Sequence, residues 1–179
     1  MSSRFERIDA TTRYDGKVLD VREETFRHED GGETTREIVR HRGAVGIVCH
    51  DGDRIWLVRQ PREAVGEPDL LELPAGKLDV EGEEPLETAK RELAEEIGKA
   101  AGHWEHLHSF YTSPGFTDEE VHLFLATGIS DVDERPAVHE DERIDVEVRP
   151  LGDLDAILTE TRDSKTLIGL QALRARLSR

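Results

Sequence analysis

Polar residues alternate with apolar or β-branched ones along residues 17–27 (VLDVREETFRH) and 34–41 (TTREIVRH), and Asp30-Gly31-Gly32 lies between them. Period-two runs flanking a glycine turn predict a β-hairpin. A second hairpin is predicted from the runs at 44–50 and 54–60 around Asp51-Gly52-Asp53, with Val45, Ile47, Ile55, Leu57 and Val58 as core side chains. Residues 61–82 read as loop, interrupted by Pro61, Pro68, Pro74 and several glycines. From Glu83 to Ile97 the period changes: Leu86, Ala89, Leu93 and Ile97 recur at helical spacing, Pro85 suits the first turn and Gly98 suits the stop. Strands are predicted again at 105–111, 121–127 and 144–149. Helices follow at 151–160 and 164–178, the last with Leu167, Leu170, Leu173 or Arg174, and Leu177 along one side and Asp163 or Ser164 as its cap.

Hairpins combined with few helices predict an α+β fold in which an antiparallel or mixed sheet lies between helices. At 179 residues one domain is expected, with at most a short N-terminal appendage. No apolar run approaches the roughly 20 residues that span a bilayer, and MSSRFERIDA has no apolar signal region, so a cytoplasmic protein away from membranes is expected. The single cysteine, Cys49, sits in the apolar run AVGIVC and reads as a buried, inert thiol.

Forty acidic residues against twenty-four Lys and Arg give a formal charge of −16, which disfavours nucleic acid and anionic membrane as partners. Only five of the cations are lysines, a balance compatible with a salt-loving source or simply with a soluble surface. An anionic ligand would need a local reversal of the field, by metal ions or an arginine cluster. On the predicted helix Glu92, Glu95 and Glu96 stand at i, i+3 and i+4, so their carboxylates share one face. Each like-charged pair costs an isolated helix about 0.2–0.5 kcal/mol. Hard oxygen ligands so arranged suit Mg²⁺ or Mn²⁺; in a chain acidic throughout, they also suit a plain solvated face, with Arg91 pairing Glu87 or Glu95.

The ordered set Gly76, Glu83, seven residues, then Arg91-Glu92-Leu93-Ala94-Glu95-Glu96-Ile97-Gly98 resembles the Nudix box, a glycine loop followed by a helix bearing REUxEExG. Two positions depart from it: six residues rather than five separate Gly76 from Glu83, and Lys99 stands where an apolar residue is usual. The resemblance implies a Nudix-type α/β/α sandwich with a mixed central sheet over residues 43–179, preceded by an N-terminal antiparallel hairpin over 1–42 that serves dimerisation. It implies hydrolysis of a pyrophosphate linkage with two or more Mg²⁺ ions, Mn²⁺ being an alternative. Glu92 and Glu96, with the carbonyl of Ala75, would hold metal; Glu95, Arg91 and Gly76 would support them.

Flanking segments narrow the substrate. Pro114 lies sixteen residues after Gly98 in SPGFTDE, and together with LVRQPREAVGEPDLLELPAGKLD and DSKTLIGLQAL this is similar to the ADP-ribose pyrophosphatase subgroup. That resemblance implies cleavage of ADP-ribose or a similar ADP-sugar to AMP and a sugar phosphate (ribose 5-phosphate) by a homodimer. It places catalysis by Glu140 and Glu142 in the loop HEDERI, with one as general base. Arg62 would meet a phosphate, Ser113, Gly115 and Glu119 the terminal ribose, and Arg36, Glu37 and Arg42 the adenosine half across a dimer. Another nucleoside diphosphate sugar or a dinucleotide is the alternative substrate, and a non-catalytic ligand-binding module the alternative class.

Overall fold

The computed structural model describes residues 4–136 and 143–178. It divides into two compact units, Met1–Gly43 with Phe110–Glu120 and Ala44–Ser109 with Val121–Arg179. No helix among the described residues is long and apolar enough to cross a membrane.

In the larger unit, β4 (Ala44–His50) and β5 (Arg54–Arg62) form the second expected hairpin, but pair only at Cys49↔Trp56 and His50↔Ile55. Beyond that the two strands part. The gap is entered by β6 (Glu67–Glu72), antiparallel to β5, and β7 (Ala75–Lys77), antiparallel to β4. The segment read as a loop therefore supplies two strands and a 3₁₀ turn at Glu63–Val65. Its prolines signalled breaks, yet they are accommodated. Pro61, which has no N–H to give, sits where the β5–β6 register slips between Gln60 and Arg62. The sheet runs β10 (Asp145–Pro150), β5, β4, β9 (Glu120–Asp131), β8 (Lys99–Tyr111), with β4 and β9 parallel and β10 and β5 antiparallel.

Because side chains alternate across a strand, β4 faces two layers. Val45, Ile47 and Cys49 join Ala89, Leu93 and Ile97 of α1 (Pro85–Ile97) in one apolar cluster with Trp56, Val58 and Phe124. On the opposite face α3 (Ser164–Leu177) closes onto Leu73 and Val48 at Gly169, where a Cβ would come within 2.7 and 2.9 Å of their side chains. That contact fixes the buried stripe of α3 as Thr166, Gly169, Leu170 and Leu173. It differs from the expected stripe: Leu167 is only partly covered and Leu177 is exposed, because the helix docks by its glycine. Asp163 is the cap, accepting the Thr166 N–H at 2.9 Å. The helix expected at 151–160 opens as a 3₁₀ turn and becomes α2 (Leu154–Glu160). The result is the expected α/β/α arrangement around a mixed sheet.

The smaller unit is a three-stranded antiparallel sheet, β1 (Phe5–Asp15), β2 (Leu19–His28), β3 (Glu33–His41), one strand more than the hairpin predicted. Gly31, at φ 83°, makes the β2–β3 turn. Every residue of β1 is exposed, so it carries no burial pattern to read.

Candidate functional site

Helix α1 starts at Pro85 and stops at Gly98, whose left-handed φ of 67° lets its N–H close back onto Ala94. Arg135 donates to the carbonyls of Glu95 and Glu96, completing the end of the last turn. The apolar stripe of this helix faces the sheet, and Glu92 and Glu96 reach β7. Glu96 is only 4 % exposed, and its Oε2 accepts the Ala75 N–H at 2.9 Å. Next along the strand, Gly76 pairs with Val45, and a Cβ there would land on the carboxylate of Glu92. Ala75, Gly76, Glu92 and Glu96 are thus brought together.

Arg91 stands among the acids. Its guanidinium donates to Glu83 Oε2 at 3.0 Å, Glu92 Oε1 at 2.9 Å and Glu95 Oε2 at 3.2 Å. The Glu83 hydrogen bonds come first among the interactions that raise the Arg91 pKa, outweighing the opposing effect of burial. Glu83 is correspondingly held below the ordinary carboxylate range, first by Arg91 and then by the Thr88 hydroxyl. Glu87, a possible Arg91 partner by spacing, is taken by Lys90 instead. Among the described residues no three His, Cys, Asp or Glu side chains converge into a ready-made metal cage. The donor set nevertheless fits a hard divalent cation: carboxylates on adjacent turns, a neighbouring strand backbone, and a glycine that leaves Glu92 room.

Arg62 was expected at a phosphate. Its Nη2 donates to Glu72 Oε2 at 2.8 Å, and Lys165 binds the same carboxylate. Glu72 is 1 % exposed. Burial opposes its ionisation, but Arg62 and Lys165 together win and hold it below the usual range. Glu72 and Lys165 were missed by sequence reasoning. The only signal was an acid inside the apolar run LLELP, opposite a lysine 93 residues away.

The smaller unit carries Ser113, Gly115, Glu119, Arg36, Glu37 and Arg42. Ser113 accepts the Phe116 and Thr117 N–H groups through its carbonyl, forming the turn that exposes Gly115. Glu119 accepts the Thr112 hydroxyl at 2.7 Å and lies 3.6 Å from His41. Arg36 and Glu37 are exposed on β3, and Arg42 follows that strand, exposed. Arg36 also lines a cleft of about 390 Å³ with Phe5, Phe26, Ile38 and Phe116. Glu140 and Glu142 lie outside the described residues. Among the described residues the histidines form no metal group; Ser109 instead bridges His106 and His122 at 2.9 and 2.8 Å.

Residues 40–168 match the NUDIX domain. The chain is 46% identical over 139 residues to the ADP-ribose pyrophosphatase of Mycobacterium tuberculosis, a match covering 77% of this chain and 66% of that protein. It is 41% identical over 163 residues to the ADP-ribose pyrophosphatase of Bacillus subtilis, covering 89% and 87%. A crystal structure of an ADP compounds hydrolase superposes with a TM-score of 0.84 at 22% identity, covering 98% of this chain and 95% of that one, and so shares the fold. With the box residues assembled on α1 and β7 and most of its length matched, the chain belongs to the Nudix hydrolase family.

Proposed function

We propose that this chain hydrolyses the pyrophosphate linkage of ADP-ribose, or of a similar ADP-sugar, to AMP and a sugar phosphate. The observation that carries the reading is the packing of Glu92 and Glu96 against the Ala75-Gly76 backbone, in a chain 46% and 41% identical to two ADP-ribose pyrophosphatases. Glu92, Glu96 and the Ala75 carbonyl would hold Mg²⁺, with Mn²⁺ as a substitute and two or more ions per site. Such ions neutralise charge on phosphate oxygens and lower the pKa of water.

The chain's own residues do the rest. Arg91 orients Glu92 and Glu95 and limits their mutual repulsion. Arg62, a planar fork already desolvated on one side by Glu72, is offered to a phosphate. Glu140 or Glu142 takes the proton of the attacking water. Ser113, Gly115 and Glu119 receive the terminal ribose. Arg36, Glu37 and Arg42 hold the adenosine half from the partner of a homodimer, for which residues 1–42 are the dimerisation element.

A panel of ADP-ribose, other ADP-sugars, GDP-sugars and dinucleotides, assayed with Mg²⁺ for kcat/KM, tests the substrate. Indifference to ADP-ribose would sink this reading while leaving the family membership intact. Gel filtration under native salt tests the assembly, and a monomer would remove the role assigned to the N-terminal strands.

A further inference from the structure

Three groups in the smaller unit, Glu24, Arg40 and Asp118, have no part in the chemistry above, yet they are joined to one another by hydrogen bonds. Glu24, on β2, is 0 % exposed. It accepts Arg40 Nε at 3.2 Å and Nη2 at 2.6 Å, and Arg7 of β1 approaches at 3.4 Å. This two-point grip fixes the plane of the Arg40 guanidinium. The remaining nitrogen, Nη1, then donates to Asp118 Oδ2 at 3.0 Å, 78 residues along the chain. The other oxygen of Asp118 accepts the His41 N–H at 2.8 Å.

Around that carboxylate the backbone adds two more bonds. The Val39 N–H donates to the Phe116 carbonyl at 2.7 Å, and the Asp118 N–H donates to the Val39 carbonyl at 3.3 Å. The segment 112–119 is also tied within itself, through Thr112 to Glu119 and through the Ser113 carbonyl. The turn is thus bonded within itself, and β3 is bonded to it through Val39, Arg40 and His41. Burial opposes ionisation of Glu24, but Arg40 and then Arg7 outweigh it, so the anchor keeps its charge.

We propose that Glu24, Arg40 and Asp118 form an electrostatic strap that sets the position of the Ser113–Glu119 turn, making Arg40 and Glu24 positioning residues for the sugar end of the substrate. The inference rests on the substrate reading above for its consequence, though not for the strap itself. A lysine at position 40 keeps the charge but cannot grip Glu24 at two points and reach Asp118 at once. Glu24 is not among the residues that line the cleft with Arg40 and Asp118, so its effect on substrate is indirect.

The test compares E24Q, R40K, D118N and the double variant R40K/D118N. Steady-state kinetics on ADP-ribose are expected to show KM raised about tenfold with kcat within about threefold, the pattern of lost binding rather than lost chemistry. The double variant should match the worse single one, because one strap is broken once. Hydrogen exchange at the Val39, His41 and Asp118 amides should quicken at least about tenfold while β4 stays protected. Unchanged KM in R40K and D118N, multiplying effects in the double variant, or unaltered exchange at those amides overturns the proposal. Should E24Q fail to fold, R40K and D118N decide it. Should the wild type ignore ADP-ribose, the substrate reading fails, and exchange alone upholds or overturns the strap.

Discussion

Replacing Gly76 by alanine separates site geometry from stability. Gly76 is not among the glycines at positive φ, so alanine fits its backbone, and the swap removes unfolded-chain entropy worth about 0.4–1 kcal/mol. The added methyl would occupy the place of the Glu92 carboxylate. Ordinary carbon contacts lie near 3.5–4.0 Å, so the carboxylate must retreat by more than about 1 Å. It is the far end of a flexible side chain held by Arg91, and an off-rotamer χ costs about 0.5–1.5 kcal/mol. These terms nearly cancel, and the net stability change should stay within about 1 kcal/mol. Catalysis has no such compensation: a misplacement of about 1 Å costs on the order of 100-fold in rate. The assay is kcat at saturating ADP-ribose across a Mg²⁺ titration, alongside urea unfolding. The expected result is a loss of about 100-fold in kcat, a Mg²⁺ midpoint at higher concentration and an almost unmoved urea midpoint. Wild-type kcat would refute the placement of Glu92 at the metal. An unfolded variant would instead refute the claim that the Glu92 side chain absorbs the strain, since it would then fall on the backbone.

The other predictions concern the acids and the thiol. Glu72→Ala removes the buried carboxylate shared by Arg62 and Lys165, but Arg62 is partly solvated and Lys165 keeps Asp163 at 3.0 Å, so stability in urea should fall by about 1–3 kcal/mol; a loss below about 0.5 kcal/mol would mean the cluster is already solvated. Glu140→Gln and Glu142→Gln, assayed separately, should cost at least one of the two variants about 100-fold in kcat; full turnover in both removes the loop from catalysis. Asp51 is held at about 2, first by the Arg54 N–H and then by the Arg54 side chain, against an ordinary 3.8. Its folded value lies below the unfolded one, so its stabilisation is complete above about pH 3.8 and disappears as pH falls towards 2. Asp51→Asn should flatten acid unfolding in that window only, and an unchanged acid limb would contradict the turn geometry. Burial pushes the Cys49 thiol up to about 12, so a disulfide reagent at pH 8 should react only at the rate of unfolding; a fast native reaction would show the thiol to be accessible.

Helix α1 was legible because its apolar period, Pro85 and Gly98 are local signals, and the three glutamates follow from the helical period itself. The same holds for β4 and β5, whose apolar positions are all covered. Strand β1 was not legible, since FERIDATTRYD buries nothing and exists by backbone pairing to β2. Strands β6 and β7 were hidden by prolines and glycines, whose local preferences are overridden by the partners that β4 and β5 offer where they part.

By itself the sequence determined the box residues, their common helix face and the chemistry open to them, because side-chain spacing on a helix needs no distant partner. Tertiary structure alone decided which charges distant along the chain meet. In a chain with forty acids and twenty-four Lys and Arg, an arginine has many distant carboxylates in prospect, and beyond near neighbours such as Glu95 for Arg91 nothing local distinguishes them. The fold selects Glu24 and Asp118 for Arg40, Glu72 for Arg62 and Lys165, and Glu83 for Arg91. It does so because strand pairing brings some of these groups together, and burial makes leaving them unpaired costly.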